Sequence, residues 1–153
     1  MTEWATPVTW LIVIAGWYVV NNQNNARIKR NEIRRLVDDI QRLLDDIEIN
    51  AIQYHTQADR THAERLSFLL KQQLNTGLSD KLALLNDLDV NLERCWPIQA
   101  ELRKAITLDN FDSDHFKQQN YSSDIVRNTA LYKNQLSREI ERAFSKKYHF
   151  CNH

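Results

Sequence analysis

Glycine occurs only at 16 and 77 and proline only at 7 and 97 in a chain of 153 residues. Sheets of short strands need turn residues at every reversal, so this scarcity argues against a sheet-rich fold and predicts an all-α chain. It also excludes glycine-rich phosphate loops and the strand-to-helix elbow that exposes a nucleophilic serine. The two cysteines, Cys95 and Cys151, lie far apart and provide no disulfide framework. Net charge is missing too: 20 Lys and Arg balance 20 Asp and Glu, which argues against a dedicated nucleic-acid binder. Between Trp4 and Ala26 there is no charge of either sign.

That uncharged stretch reads as a membrane anchor. Its apolar part, Val8 to Val20, is thirteen residues and short for a span. Trp4 to Thr6 on one side and Asn21 to Asn25 on the other lengthen it to about 34 Å as a helix, against a bilayer core of ~30 Å. Trp4 and the Trp17-Tyr18 pair are aromatics of the interfacial kind, and Trp10 completes the aromatic set of the anchor. Arg27, Lys29, Arg30, Arg34 and Arg35 follow, opposed only by Glu32. The positive-inside rule then predicts a single transmembrane helix over residues 1–26 of a bacterial inner membrane, with the short leading end outside and residues 27–153 in the cytoplasm. Glu3 before the run and bulky residues after it argue against a cleaved signal. Ala5, Thr9 and Gly16 share a helical face that would let two anchors approach closely.

Beyond the anchor, Ile33, Leu36, Val37, Ile40, Leu43, Leu44, Ile47, Ala51, Tyr54 and Ala58 recur at three- and four-residue steps, continued by Leu66, Leu69 and Leu70. The spacing predicts a long amphipathic helix over about 27–75, ended by Gly77 in a left-handed cap. A second helix over 79–107, kinked or restarted near Pro97, and a third over 122–148, capped by Ser122, complete a cytoplasmic antiparallel helical bundle or hairpin. A continuous first helix would be roughly 73 Å long and the second only about 43 Å. The stripe Ile33, Val37, Ile40 and Leu44 would then be left uncovered by its own hairpin. Either the third helix folds over it or it pairs, coiled-coil fashion, with a second copy or a protein partner, self-association being the expectation. A break near residues 55–62 would instead shorten the first helix and let a compact bundle close.

Chemistry is sparsely marked. His55, Asp59 and His62 fall on one helical face at ligand-compatible spacing, and His149, Cys151 and His153 cluster in the tail, each a weak metal candidate against the plainer reading of a solvated face or a frayed end. No cofactor is implied, and an enzyme is not expected. Trp96, Phe111 and Phe116 either form an exposed patch or pin a loop to the bundle. These features favour a membrane-anchored interaction protein, a scaffold, adaptor or regulator whose partners are membrane lipid and a second copy or protein bound through the stripe. The alternatives are a small membrane-acting effector, such as a phage-exclusion or toxic protein, and a metal-carrying helical enzyme.

Overall fold

The computed structural model describes residues 5–56, 60–108, 111–113 and 116–149. In order these form α1 (Ala5–Thr56), α2 (Arg60–Gln72), a π-helical segment (Gln73–Leu78), α3 (Ser79–Asp87), α4 (Cys95–Thr107) and α5 (Asp124–His149). Among the described residues there is no strand, and the chain is all-α as its turn-poor composition requires. It divides into two compact units, Met1–Arg35 and Leu36–His153.

In the first unit every position from 13 to 32 is exposed. Trp10, Val13, Ile14, Trp17, Tyr18, Val19 and Val20 each show between 52% and 67% of their surface. Among the described residues, no helix is long and apolar enough to cross a membrane. The physical reason is that the apolar run stops at Val20, and α1 continues through the polar Asn21 to Asn25. The transmembrane helix expected over 1–26 is therefore not supported, and Trp4 lies outside the described residues.

The second unit is an up-and-down helical bundle. The remainder of α1 ends at Thr56, and the chain returns through α2, the π segment and α3, so the long first helix does break where compact closure requires. Asn50 Nδ2 donates to Gln73 Oε1 at 3.0 Å across this hairpin. α4 runs back against it, with Gln99 bonded to Ser79 Oγ at 2.8 Å and Arg103 to the Leu74 carbonyl at 3.4 Å. α5 closes the bundle against α4, and Gln41 of α1 donates to the Ser137 carbonyl of α5 at 3.2 Å. Lys133, with only 13% of its side chain exposed, reaches Asp45 at 2.5 Å and Glu48 at 3.0 Å. Burial alone would lower its pKa, but the two carboxylates outweigh that and raise it.

Ile33, Val37, Ile40 and Leu44 are all fully buried in the single chain. The uncovered stripe is thus corrected: within the second unit, Val37, Ile40 and Leu44 share one core with Leu70, Leu74, Leu78, Leu82, Leu102, Ile106, Leu136 and Ile140. A coiled coil between copies through these four residues has no exposed apolar surface left to bury.

Two local structures shape the return limb. Leu66, Leu70, Leu74, Leu78 and Leu82 recur at strict four-residue steps, and in a pure α-helix each step walks the stripe about 40° round the axis. The wider π turn at Gln73–Leu78 takes up that drift and keeps the leucines facing inward. Gly77 is therefore not a left-handed cap, since no glycine has positive φ. Its role is close approach: a Cβ there would sit 3.3 Å from Leu43 Cδ2.

The helix ends instead at Asp87, without glycine. Asp89 takes φ 62°, its N–H bonds the Asn86 carbonyl at 2.9 Å, and the Val90 N–H bonds the Leu85 carbonyl at 3.3 Å. This is a Schellman pair with Asp89 at the left-handed position, sealed by fully buried Leu85 and Val90. α4 then restarts at Cys95, which places Pro97 in its first turn. No kink forms there, because first-turn N–H groups have no intrahelical partner to lose. At α5 the cap is Ser123 rather than Ser122, its Oγ accepting the Val126 N–H at 3.5 Å.

Candidate functional site

The densest polar chemistry lies where α1 ends. His55 is buried, and its Nε2 donates to the Ile106 carbonyl at the end of α4, 2.9 Å away. Its own carbonyl accepts the Gln119 N–H at 2.7 Å, and the Thr56 carbonyl accepts Gln118 Nε2 at 2.6 Å. One turn of helix thus ties the α4 terminus to the connection that leads into α5. Burial lowers the pKa of His55, and the Ile106 bond opposes this only in part.

Beside it, Tyr54 is packed by His55, Phe111 and Phe116 at ring distances of 4.9, 4.9 and 5.4 Å. The Tyr54 hydroxyl accepts the Asp112 N–H at 2.9 Å, and burial raises its pKa. Asp112 adopts φ 52°, a conformation that aspartate tolerates better than most residues. That turn aims its carboxylate at Ser67 and Lys71 of α2, which both donate to it, while Lys71 Nζ lies 5.7 Å from the centre of the Phe111 ring. Burial would raise the Asp112 pKa, but these donors and the Lys71 charge hold it below the usual value.

The arrangement clamps a loop. It does not activate a nucleophile, because the buried Ser67 donates its proton to a carboxylate that is already paired with Lys71. Phe111 and Phe116 pin the acidic connection to the bundle, whereas Trp96 remains 38% exposed on α4.

A second feature is an open cleft of about 590 Å³ between α4, the preceding loop and α5, lined by Arg94, Cys95, Glu139, Arg142, Lys146 and Lys147 among others. Part of its charge is engaged: Arg142 pairs with Glu139, and Lys147 donates to the Leu88 carbonyl at 2.5 Å. Burial pushes the Cys95 thiol up to about 11, with Glu139 adding to the effect, so the thiol stays protonated and inert at neutral pH.

Neither metal set proposed from spacing lies wholly within the described residues. His55 is buried with Nε2 committed to a carbonyl, His62 is exposed on α2, and Asp59 lies outside the described residues. The ligand spacing assumed one helix through 55–62, but α1 ends at Thr56 and α2 begins at Arg60. Cys151 and His153 lie outside the described residues, as does the side chain of His149. Among the described residues no group of three or more His, Cys, Asp or Glu side chains can hold a metal ion. Ala5 and Thr9 have no described side chain, and around Gly16 there is open space within 4 Å.

Sequence spacing did not reveal the Ser67, Lys71 and Asp112 network. Ser67 and Lys71 stand four apart on one helix, a visible signal, but nothing in the sequence marks Asp112 as their partner. Compared with known proteins, the chain matches no family model, no curated protein and no solved structure.

Proposed function

We propose that this chain is a membrane-tethered helical interaction protein, a scaffold, adaptor or regulator whose N-terminal helix enters a bilayer and holds the bundle at the membrane surface. The observation that carries this reading is the exposure of Trp10, Val13, Ile14 and the four residues from Trp17 to Val20. Val13, Ile14, Trp17, Tyr18, Val19 and Val20 point in different directions round α1, so the segment has no polar face that water could solvate. An interfacial helix would need such a face, and a helix apolar on every side calls for cover on every side. Lipid supplies it. The thirteen residues from Val8 to Val20 cover only about 20 Å, so the reading places Asn21 to Asn25 among headgroups rather than in hydrocarbon.

The bundle contributes surface rather than catalysis. Its polar junction is consumed in holding itself together, and Phe68, Ile49 and Leu84 are exposed apolar residues available to a partner. The test is fractionation of cells expressing the full chain, with alkaline carbonate washing. Wild type should stay with the membranes, and Ile14→Asp with Val19→Asp should release the protein. A wild-type chain recovered in the wash would overturn the tether.

A further inference from the structure

We infer that the α1 segment from Arg27 to Arg35 is a docking surface for anionic phospholipid headgroups, graded along the helix so that Arg27, Lys29 and Arg30 dominate. The inference rests on the tether just described, and it adds which lipid the tether selects. Charge is unevenly divided between the two units. Residues 1–35 hold five cations and two anions, a net charge of +3, while residues 36–153 carry 15 cations and 18 anions, a net charge of −3. A neutral chain thus resolves into a basic segment and an acidic bundle. An anionic surface attracts the first and repels the second, which favours contact through the segment alone.

Geometry supplies the gradient. Positions 27 to 32 are exposed, Arg34 is half-buried and Arg35 is exposed, so distance along the helix sets the gradient. With Val20 at the hydrocarbon edge, Arg27 lies about 10 Å further along the helix and Arg30 about 15 Å, within reach of the headgroup layer for side chains of this length. Arg34 and Arg35 lie more than 20 Å along, on the order of two Debye lengths beyond the headgroups at physiological salt. Asn21 to Asn25 fill the intervening layer with uncharged hydrogen-bonding side chains. A cation near an anionic leaflet strengthens binding about fivefold.

The experiment is a lipid titration of the full chain, synthesised in the presence of vesicles, using phosphatidylcholine alone or phosphatidylcholine with phosphatidylglycerol. Wild type should partition into the anionic vesicles about a hundredfold better, and added salt should shrink that ratio. Arg27→Gln with Lys29→Gln and Arg30→Gln should erase the preference while leaving partition into neutral vesicles unchanged, which shows that the variant still inserts. Arg34→Gln with Arg35→Gln should remove much less. Equal partition of wild type into both vesicles, or equal losses from the two sets of substitutions, would overturn the headgroup inference and leave the tether standing. Partition into neither would overturn the tether itself.

Discussion

Two stretches of α1 share one helical backbone and opposite fates. Residues 13–32 are exposed at every position, whereas Ile40, Leu44 and Ile47 further along expose nothing. The difference is arrangement rather than hydrophobicity. From Val13 to Val20 the apolar residues follow one another and encircle the helix; from Ile33 to Tyr54 they are spaced three and four apart and make one stripe. A stripe can be covered by neighbouring helices while its polar back stays in water, but an encircled helix leaves no side for water. The same secondary structure therefore serves a protein core in one place and asks for a different solvent in the other.

The sharpest way to break this comparison is to truncate one isoleucine in each stretch. Ile40→Ala should destabilise the bundle by about 2 to 5 kcal/mol in denaturant unfolding of the detergent-solubilised chain, since it empties a packed site. Ile14→Ala should stay within about 0.5 kcal/mol in the same assay. Comparable losses would mean that the two stretches are not energetically distinct.

A smaller effect comes from His55, a group that belongs to the bundle alone. Its folded pKa is depressed below the ordinary 6.5, so the unfolded chain binds the proton more readily. Stability from this group is complete above 6.5 and is lost as pH falls through the folded value. Asp112, also depressed, loses its contribution only as pH falls below the usual carboxylate value of 3.8. Stability measured by unfolding between about pH 7.5 and 4 should therefore fall on acidification. His55→Gln, which keeps a donor for the Ile106 carbonyl but cannot titrate in this range, should flatten the slope; an unchanged slope would assign the acid sensitivity elsewhere.

The smallest effect tests how the return limb ends. Asp89→Gly removes the cost of a side chain at φ 62° but adds freedom to the unfolded chain, so thermal melting should show a gain of about 0 to 1 kcal/mol. A clear loss would show that the Asp89 side chain stabilises the loop.

These differences also mark what could be read before folding. The helical class and the core stripe from Ile33 to Tyr54 were legible, because periodicity and missing turn residues are properties of short windows, whereas the end of α1 at Thr56 was only an alternative to one helix over 27–75. The end at Asp89 was not legible, since the usual glycine signal is absent and aspartate substitutes for it. Gly77 misled for the converse reason: it resembles a cap and serves as a gap for Leu43. The cover over Ile40 and Leu44 was misjudged because it depended on helix lengths, and one wrong helix end changes every length that follows. The Asp112 clamp joins residues 41 and 45 positions apart, which no local pattern reports.

The π segment makes the return limb unusually indifferent to chain length at one place. A π turn holds one residue more than the α turn it replaces, so a chain lacking Thr76, which is exposed, could wind as ordinary α-helix there and still present Leu78, Leu82 and Leu85 to the same neighbours. Losing one residue from the middle of α5 would instead swing everything beyond it by about 100° and turn Ile140 and Phe144 out of the core. Among homologous chains, single-residue gaps should therefore gather between Gln73 and Leu78.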